Sequence, residues 1–372
     1  MKKITIYLIG VLLFLTSCAP DINEDEVLHE DEAEQETSIV PSYQLSEENY
    51  RMVLPYKTSA ARGVITNQMG NRLDIDEMEE GLRRHSKEVY DPETYYFQEG
   101  QYLTEDTVYE WLGEGEEGFN PEIPEGAEEE IYRENPRYLS HILEQNFLRR
   151  NEDNSVDLVG VSLGIALKSV YRFQTEIGGP YYYEEIPKSD MLNEGKEIAQ
   201  SILERVREIE GLEDVPILIG LYREAEQGSP VPGNYVALTN VDSGSRTIDE
   251  WESIDEEYIL FPSDEAEEKY FDEFQLFNSF ANEIATYFPN YVGAIGEGFY
   301  INEELRKLTI EVPLEFYGKA EVIGFTQYTY GVINEMFPNY YDLEIKINSD
   351  DKMESLIYRD AGDDNPTVHI FH

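Results

Sequence analysis

The sequence predicts an α+β fold. Two related strand-helix-strand repeats form mixed sheets covered by helices, and a smaller helix-rich N-terminal region packs on them. Three observations carry this. Leu308, Ile310, Val312, Leu314 and Phe316 alternate with Thr309, Glu311, Pro313, Glu315 and Tyr317, the period of a strand with one buried face. Tyr270, Phe271, Phe274, Phe277, Ala281, Ile284, Ala285 and Phe288 form an aromatic stripe at helical spacing, which is far more often core than a cofactor site. One order of elements also occurs twice. A strand ending at Tyr171, a helix opening at Gly195-Lys196 and a strand over 215–222 match a strand ending at Tyr317, a helix opening at Gly318-Lys319 and a strand through Leu343, Ile345 and Ile347. An internal duplication is the simplest source of such a pattern. The expected units are a signal peptide at 1–17, an acidic disordered tether at 18–41, the helix-rich region at 42–150 and repeats at 151–262 and 263–372.

In chain order, residues 50–54 make a short strand stopped by Pro55. Asp74 is the expected cap of a helix, with Glu77 three residues on, and Ile75, Met78, Leu82, His85 and Val89 share one face. His85 on that face is expected to be packed or hydrogen-bonded rather than a ligand. Residues 95–98 form a short strand or loop. Thr104 caps a short helix that buries Val108, Trp111 and Leu112. Residues 113–130 are an exposed Gly/Pro/Glu loop. Residues 136–147 are expected to be helical, with Leu139, Ile142, Leu143 and Phe147 on one side. Residues 157–172 read as strand. Asp190 starts a helix whose Ile198, Ile202, Val206 and Ile209 share a face. Strands follow at 215–222, 234–239, 247–253 and 257–261, and a long helix starts at Asp264.

The first copy differs from the second by a spare loop containing Gly178-Gly179-Pro180-Tyr181-Tyr182-Tyr183. An aromatic loop added to a repeated scaffold is a natural place for function. Tyr181, Tyr182 and Tyr183, with Tyr95 and Tyr96, are therefore the candidate ligand-binding residues, able to stack on sugar rings or grip a peptide; ordinary packing is the competing explanation.

Composition bounds the partners. The chain has 372 residues, 28 basic and 78 acidic, and a formal net charge of −50. Such a charge repels nucleic acid and anionic headgroups, so no nucleic-acid partner is expected and attachment to a membrane would need a lipid. Residues 21–36 hold nine acidic residues and no Lys or Arg, the composition of a self-repelling tether. The one cysteine, Cys18, follows Lys2-Lys3, an apolar run from Ile4 to Leu15, and the small pair Thr16-Ser17. A basic head, a short apolar middle and small residues define a signal peptide. Leu15-Thr16-Ser17-Cys18 resembles the bacterial lipobox, in which cleavage falls between Ser17 and Cys18 and the thiol takes a diacylglyceryl thioether. The expected location is the outer face of the cytoplasmic membrane, lipid-anchored.

Motifs for chemistry are sparse. Gly160-Val161-Ser162-Leu163-Gly164 matches the nucleophile-elbow spacing, which requires a strand, a sharp turn and a helix. Here an apolar run continues through Ile165-Ala166-Leu167, so a strand with small residues is the expected outcome. His369 and His372 would point to opposite faces of a strand, and 360–364 lacks the oxygen spacing of a calcium loop. No catalytic residue, metal or cofactor is assigned.

Several stretches resemble the CamS-type sex pheromone lipoprotein family of Gram-positive bacteria. They are Val53-Leu54-Pro55-Tyr56-Lys57 with Ala61-Arg62-Gly63, Asn71-Arg72-Leu73-Asp74-Ile75-Asp76-Glu77, Tyr95-Tyr96-Phe97-Gln98-Glu99-Gly100-Gln101-Tyr102-Leu103, Val231-Pro232-Gly233-Asn234-Tyr235, and Tyr317-Gly318-Lys319-Ala320-Glu321-Val322-Ile323-Gly324-Phe325-Thr326-Gln327. The resemblance implies two related repeats. It also implies that the end of the cleaved signal peptide, here Val11, Leu12, Leu13, Phe14, Leu15, Thr16 and Ser17, is the segment processed to a conjugation pheromone. The folded part is then expected to be a binding module for a cell-wall component or a protein partner; the alternative is a cell-envelope hydrolase acting on a wall polymer.

Overall fold

The computed structural model describes residues 26–29, 37–40, 49–151, 155–288, 293–316, 318–349 and 352–371. Cys18, the cleavage site and the segment Val11–Ser17 lie outside the described residues. Within the expected tether, β1 (Glu26–His29) and β2 (Thr37–Val40) pair antiparallel.

Two sheets organise the rest. The first has seven strands in the order β11-β10-β9-β6-β5-β4-β3. They are β3 (Arg51–Met52), β4 (Tyr96–Glu99), β5 (Leu139–Arg150), β6 (Val156–Leu167), β9 (Ile217–Arg223), β10 (Asn234–Val241) and β11 (Glu252–Ser253). The second has six, β12 (Glu256–Phe261), β13 (Ile295–Ile301), β14 (Glu304–Pro313), β15 (Asp342–Ser349), β16 (Lys352–Arg359) and β17 (Thr367–Ile370), in sequential order. Strands β7 (Val170–Phe173) and β8 (Tyr182–Glu185) form a separate antiparallel ribbon.

The two sheets share a pairing pattern. β4·β5·β6 run antiparallel, β6·β9 parallel, and β9·β10·β11 antiparallel. β12·β13·β14 run antiparallel, β14·β15 parallel, and β15·β16·β17 antiparallel. A helix makes the parallel crossover in each, α5 (Lys188–Val206) and α8 (Lys319–Met336), as a parallel connection requires. The shared order begins at β4 and at β12, so the first sheet recruits strands from the region expected to be a separate helix-rich unit.

Among the described residues the remaining helices are α1 (Val64–Gln68), α2 (Arg72–Ser86), α3 (Glu105–Trp111), α4 (Glu129–Glu134), α6 (Asp264–Lys269) and α7 (Phe271–Tyr287). The first sheet is covered on both faces. Met78 and Leu82 of α2 pack on Ala166, Leu218, Tyr222 and Tyr235. On the other face Val108 and Trp111 of α3 and Ile198, Ile202 and Val206 of α5 pack on Ile165, Ile219 and Val236. The second sheet is packed by its own helices on one face, where Phe277, Phe280, Ile284, Phe325 and Ile333 meet Ile310, Val312, Ile345 and Ile347.

Several local expectations are corrected. Residues 136–147 are not a helix but most of β5. The i, i+3, i+4, i+8 spacing of its large apolar residues imitates a helix because both faces are buried and Ser140, His141, Glu144, Gln145 and Asn146 lie in the interior, which erases the two-residue period. Helix α2 is capped by Asn71, whose Oδ1 accepts the Leu73 N–H at 3.0 Å, not by Asp74. Asp74 instead ties α2 to the β9–β10 loop, accepting from Tyr222 Oη (2.8 Å), Gly233 N (2.6 Å) and Ala225 N (3.2 Å). Burial raises its carboxyl to about 6. The helix from Asp264 breaks at Tyr270, whose ring stacks on Tyr300 with centroids 3.7 Å apart and whose hydroxyl donates to Glu257. The strand expected over 247–253 contracts to β11.

Candidate ligand pocket

Strand register creates the site. Glu99, the last residue of β4, pairs with Gln145, so residues 139–144 of β5 extend past their neighbour. The chain leaves β4 through Gly100, where a side chain is impossible: its Cβ would stand 2.5 Å from Glu144 Cβ. Glu144 then holds the departing segment by accepting from the backbone N–H groups of Gln101 (2.9 Å), Tyr102 (3.1 Å) and Leu103 (2.6 Å). Glu99 fastens the turn ahead of α1, accepting from Ser59 N at 2.6 Å and from the Tyr56 hydroxyl. Between that turn, α2 and the overhanging part of β5 lies a cavity of about 190 Å³.

Its wall mixes apolar and polar groups. Phe97, Leu103, Ile142 and Leu143 supply the apolar part, and Arg62, Arg83, Glu79, His141 and Gln145 the polar part. The Arg83 guanidinium lies over the Phe97 ring, 5.4 Å from its centroid. Gln145 Nε2 donates to the Glu79 carbonyl at 2.8 Å, which fixes the amide and leaves Oε1 buried without a partner. Nδ1 of His141 is likewise buried and unpartnered, and burial lowers this imidazole to about 3, so it is neutral at pH 7. Burial, then the neighbouring Glu99, pushes the Glu79 carboxyl up, against the pull of Arg83 and Arg62. Orphaned interior polar atoms are rare in folded proteins. Two residues that carry such atoms, His141 and Gln145, line this one cavity.

The residues singled out by sequence fall elsewhere. Tyr181 is 51% exposed, with the Arg172 guanidinium 3.5 Å from its ring centroid. Tyr183 is exposed as well, while Tyr182 stacks on Phe173. Tyr95 sits edge-on to Tyr90, and Tyr96 is buried with Val53 and Leu148. The two tyrosine groups thus belong to separate clusters and do not form one surface. Ser162 is fully buried in the middle of β6, with its Oγ 2.8 Å from Ser86 Oγ, so the nucleophile-elbow geometry is absent there. Its flanking glycines serve packing, since a Cβ at Gly160 would lie 2.1 Å from the Tyr90 ring. His85 is packed, edge-on to Tyr235, with Nε2 3.2 Å from Glu256 Oε1. His369 lies on β17, His372 lies outside the described residues, and residues 360–364 form the turn between β16 and β17. Among the described residues no group of three or more potential metal ligands converges.

Sequence reasoning passed over the cavity residues. A signal for them existed: Ala61-Arg62-Gly63 and the 95–103 stretch, quoted above for their resemblance, are distant in sequence and meet here.

Solved structures share this architecture. The sex pheromone precursor from Lactobacillus salivarius subsp. salivarius UCC118 is 30% identical, with a TM-score of 0.83 over 89% of this chain and 98% of that one. The C-terminal domain of the sex pheromone staph-cAM373 precursor from Staphylococcus aureus is 28% identical, with a TM-score of 0.72 over 83% of this chain and 99% of that one. The fold is thus that of the sex pheromone precursors. The model of the CamS sex pheromone cAM373 precursor family matches residues 56–365, and the chain belongs to that family. Its precursors are secreted or surface proteins. No curated protein matches. No helix among the described residues is long and apolar enough to cross a membrane.

Proposed function

We propose that this is a surface lipoprotein with two products. Cleavage between Ser17 and Cys18 leaves the mature chain anchored through a lipid on Cys18 at the outer face of the cytoplasmic membrane. The released leader is the source of a pheromone peptide ending in Val11–Ser17. The acidic tether lifts the folded part off the membrane, where it acts as a binding module, with the cell wall or a protein as the source of what it binds. The observation that carries the binding role is that His141 and Gln145, whose Nδ1 and Oε1 are buried without partners, line one cavity. Their desolvation costs about 1–3 kcal/mol each unless a guest supplies the missing hydrogen bonds.

The test is capture. The full chain is incubated with a small-molecule extract of cell envelopes, re-isolated, heat-denatured and its released guests identified by mass spectrometry. A guest carried by the wild type and lost in Ala61→Trp, which puts a large ring on the cavity wall, is the expected result. An extract that leaves no guest on the wild type overturns the pocket as a binding site.

A further inference from the structure

The charged groups around the cavity divide into those already engaged and those held open. Glu144 is engaged by three backbone N–H groups and Glu99 by Tyr56 and Ser59. Arg62 and Arg83 line the cavity and, among the described residues, neither donates a hydrogen bond or an ion pair to any carboxylate. Arg72, Arg149 and Arg223 likewise meet no carboxylate among the described residues, but Arg62, which is exposed, and Arg83, which is half-buried, do so together on one cavity. Elsewhere Arg84, Arg133, Arg137 and Arg246 each find a carboxylate, and Arg207 and Arg359 donate to backbone carbonyls. Two open guanidiniums at one cavity are donors without an acceptor, the fork geometry that takes a carboxylate in two hydrogen bonds.

The same wall also presents acceptors without a donor. Gln145 lines the cavity and its Oε1 is buried without a partner, its amide nitrogen being spent on the Glu79 carbonyl. No hydrogen bond to the Glu79 carboxylate is seen among the described side chains. A plain anion would satisfy the arginines and leave Glu79 and Gln145 facing more lone pairs. A plain cation would satisfy Glu79 and Gln145 and be repelled by Arg62 and Arg83. A guest with both charges completes both sets at once. Size limits it further: about 190 Å³ holds roughly six waters' worth of liquid and falls below the ~300 Å³ at which pockets begin to take drug-sized ligands.

We infer that the cavity binds a free amino acid or a zwitterion of that size, with its carboxylate on Arg62 and Arg83, its ammonium on Glu79 and Gln145 Oε1, and its side chain against Phe97, Ile142 and Leu143. This rests on the pocket being a binding site, as proposed above. His141 is neutral and meets the side chain, so guests with an uncharged small or polar side chain fit better than a second charge.

Calorimetric titration of the full chain with single L- and D-amino acids tests this, each set beside its two halves, as alanine beside propionate and ethylamine. At least one amino acid binds, and each of its halves binds about tenfold or more weakly, since one charged contact set is lost. Glu79→Gln weakens the amino acid about tenfold and leaves the des-amino acid unchanged; Arg83→Met weakens both. The half-molecule comparison uses wild-type protein, so it stands even if a variant fails to fold. A des-amino acid that binds as tightly as the amino acid overturns the zwitterion. So does a panel with no binder while an envelope guest still enters and Ala61→Trp still excludes it; in that case the pocket reading survives. If neither the panel nor the extract yields a guest, both fall.

Discussion

The two sheets have one strand order and opposite surroundings. The first carries helices on both faces, and its central strands are runs of buried residues: every position from Ile217 to Tyr222 of β9 is buried. The second is packed by its own helices on one face, with α2 reaching the other at its β12–β13 edge, so Leu343, Ile345 and Ile347 of β15 are buried while Glu344 and Lys346 between them are not. The added layer is α2, and it brings chemistry with it. The strand next to the crossover pair is β5 in the first sheet, with five buried polar residues, and β13 in the second, where Gly296, Phe299 and Tyr300 serve packing. The cavity lies between α2 and β5, in the sheet so covered. A second helical layer over an existing topology creates an interior that a one-faced sheet lacks, and an interior is where a small guest is stripped of water.

The largest test places a charge on corresponding faces. Ala166→Asp, under α2, costs about 4 kcal/mol or more in urea unfolding, because an unpaired carboxylate enters a closed interface. Thr309→Lys, on the open face of β14 between Glu297 and Glu344, costs about 1 kcal/mol or less. Equal losses would mean that the second sheet is also covered, and the contrast would collapse.

A smaller effect concerns the seam between the units. Glu256 at the start of β12 contacts Arg84 Nη2 at 3.1 Å and His85 Nε2 at 3.2 Å, and the Arg84 guanidinium lies 4.5 Å from the Phe299 ring centroid. Burial pushes the Glu256 carboxyl up, but His85 and Arg84 outweigh it and hold it below the ordinary value. Glu256→Ala costs about 2 kcal/mol, less than a fully buried pair because Arg84 keeps Glu77 at 2.8 Å. In calorimetry the single transition broadens or splits into two, since the units lose a shared contact. An unchanged transition would show that they couple through other residues.

A third test is the pH slope that His141 gives the first unit. His141 titrates near 6.5 when unfolded and near 3 when folded, so the unfolded chain holds the extra proton between those values. Stability from this group is complete above pH 6.5 and falls as pH drops, by about 1.4 kcal/mol per unit. Asp74 acts in the opposite sense: its folded value near 6 lies above 3.8, so the folded chain takes up the proton and gains stability as pH falls through that window. Subtracting the curve of His141→Gln from the wild type isolates the histidine; two parallel curves would mean that the imidazole is solvated.

These contrasts also explain what was legible in the sequence. The α+β class and the second sheet could be read because a one-faced sheet writes its burial as alternation, as in 308–316 and 343–347. Thr104 capped the helix expected of it, its side chain accepting the Thr107 N–H. β5 could not be read, because burial on both faces removes the period and its polar residues look like surface. Asp74 was mistaken for a cap because its partners, Tyr222, Ala225 and Gly233, are some 150 residues away. The cavity was hidden for the same reason: Arg62, Arg83 and Gln145 are unremarkable until register brings them together.

The position of α2 bears on how such a chain evolves. Glu77, Arg84 and His85 precede both copies of the shared strand order, yet they complete the contacts of the second. A crossover between residues 253 and 256 would graft a new second half onto a helix selected for the old one. Its Arg84 would then require a carboxylate where Glu256 stands and an aromatic ring where Phe299 stands. The two halves look interchangeable in outline, but the seam makes them co-inherited: a substitution at 84 or 256 sets the terms for what the other half can accept.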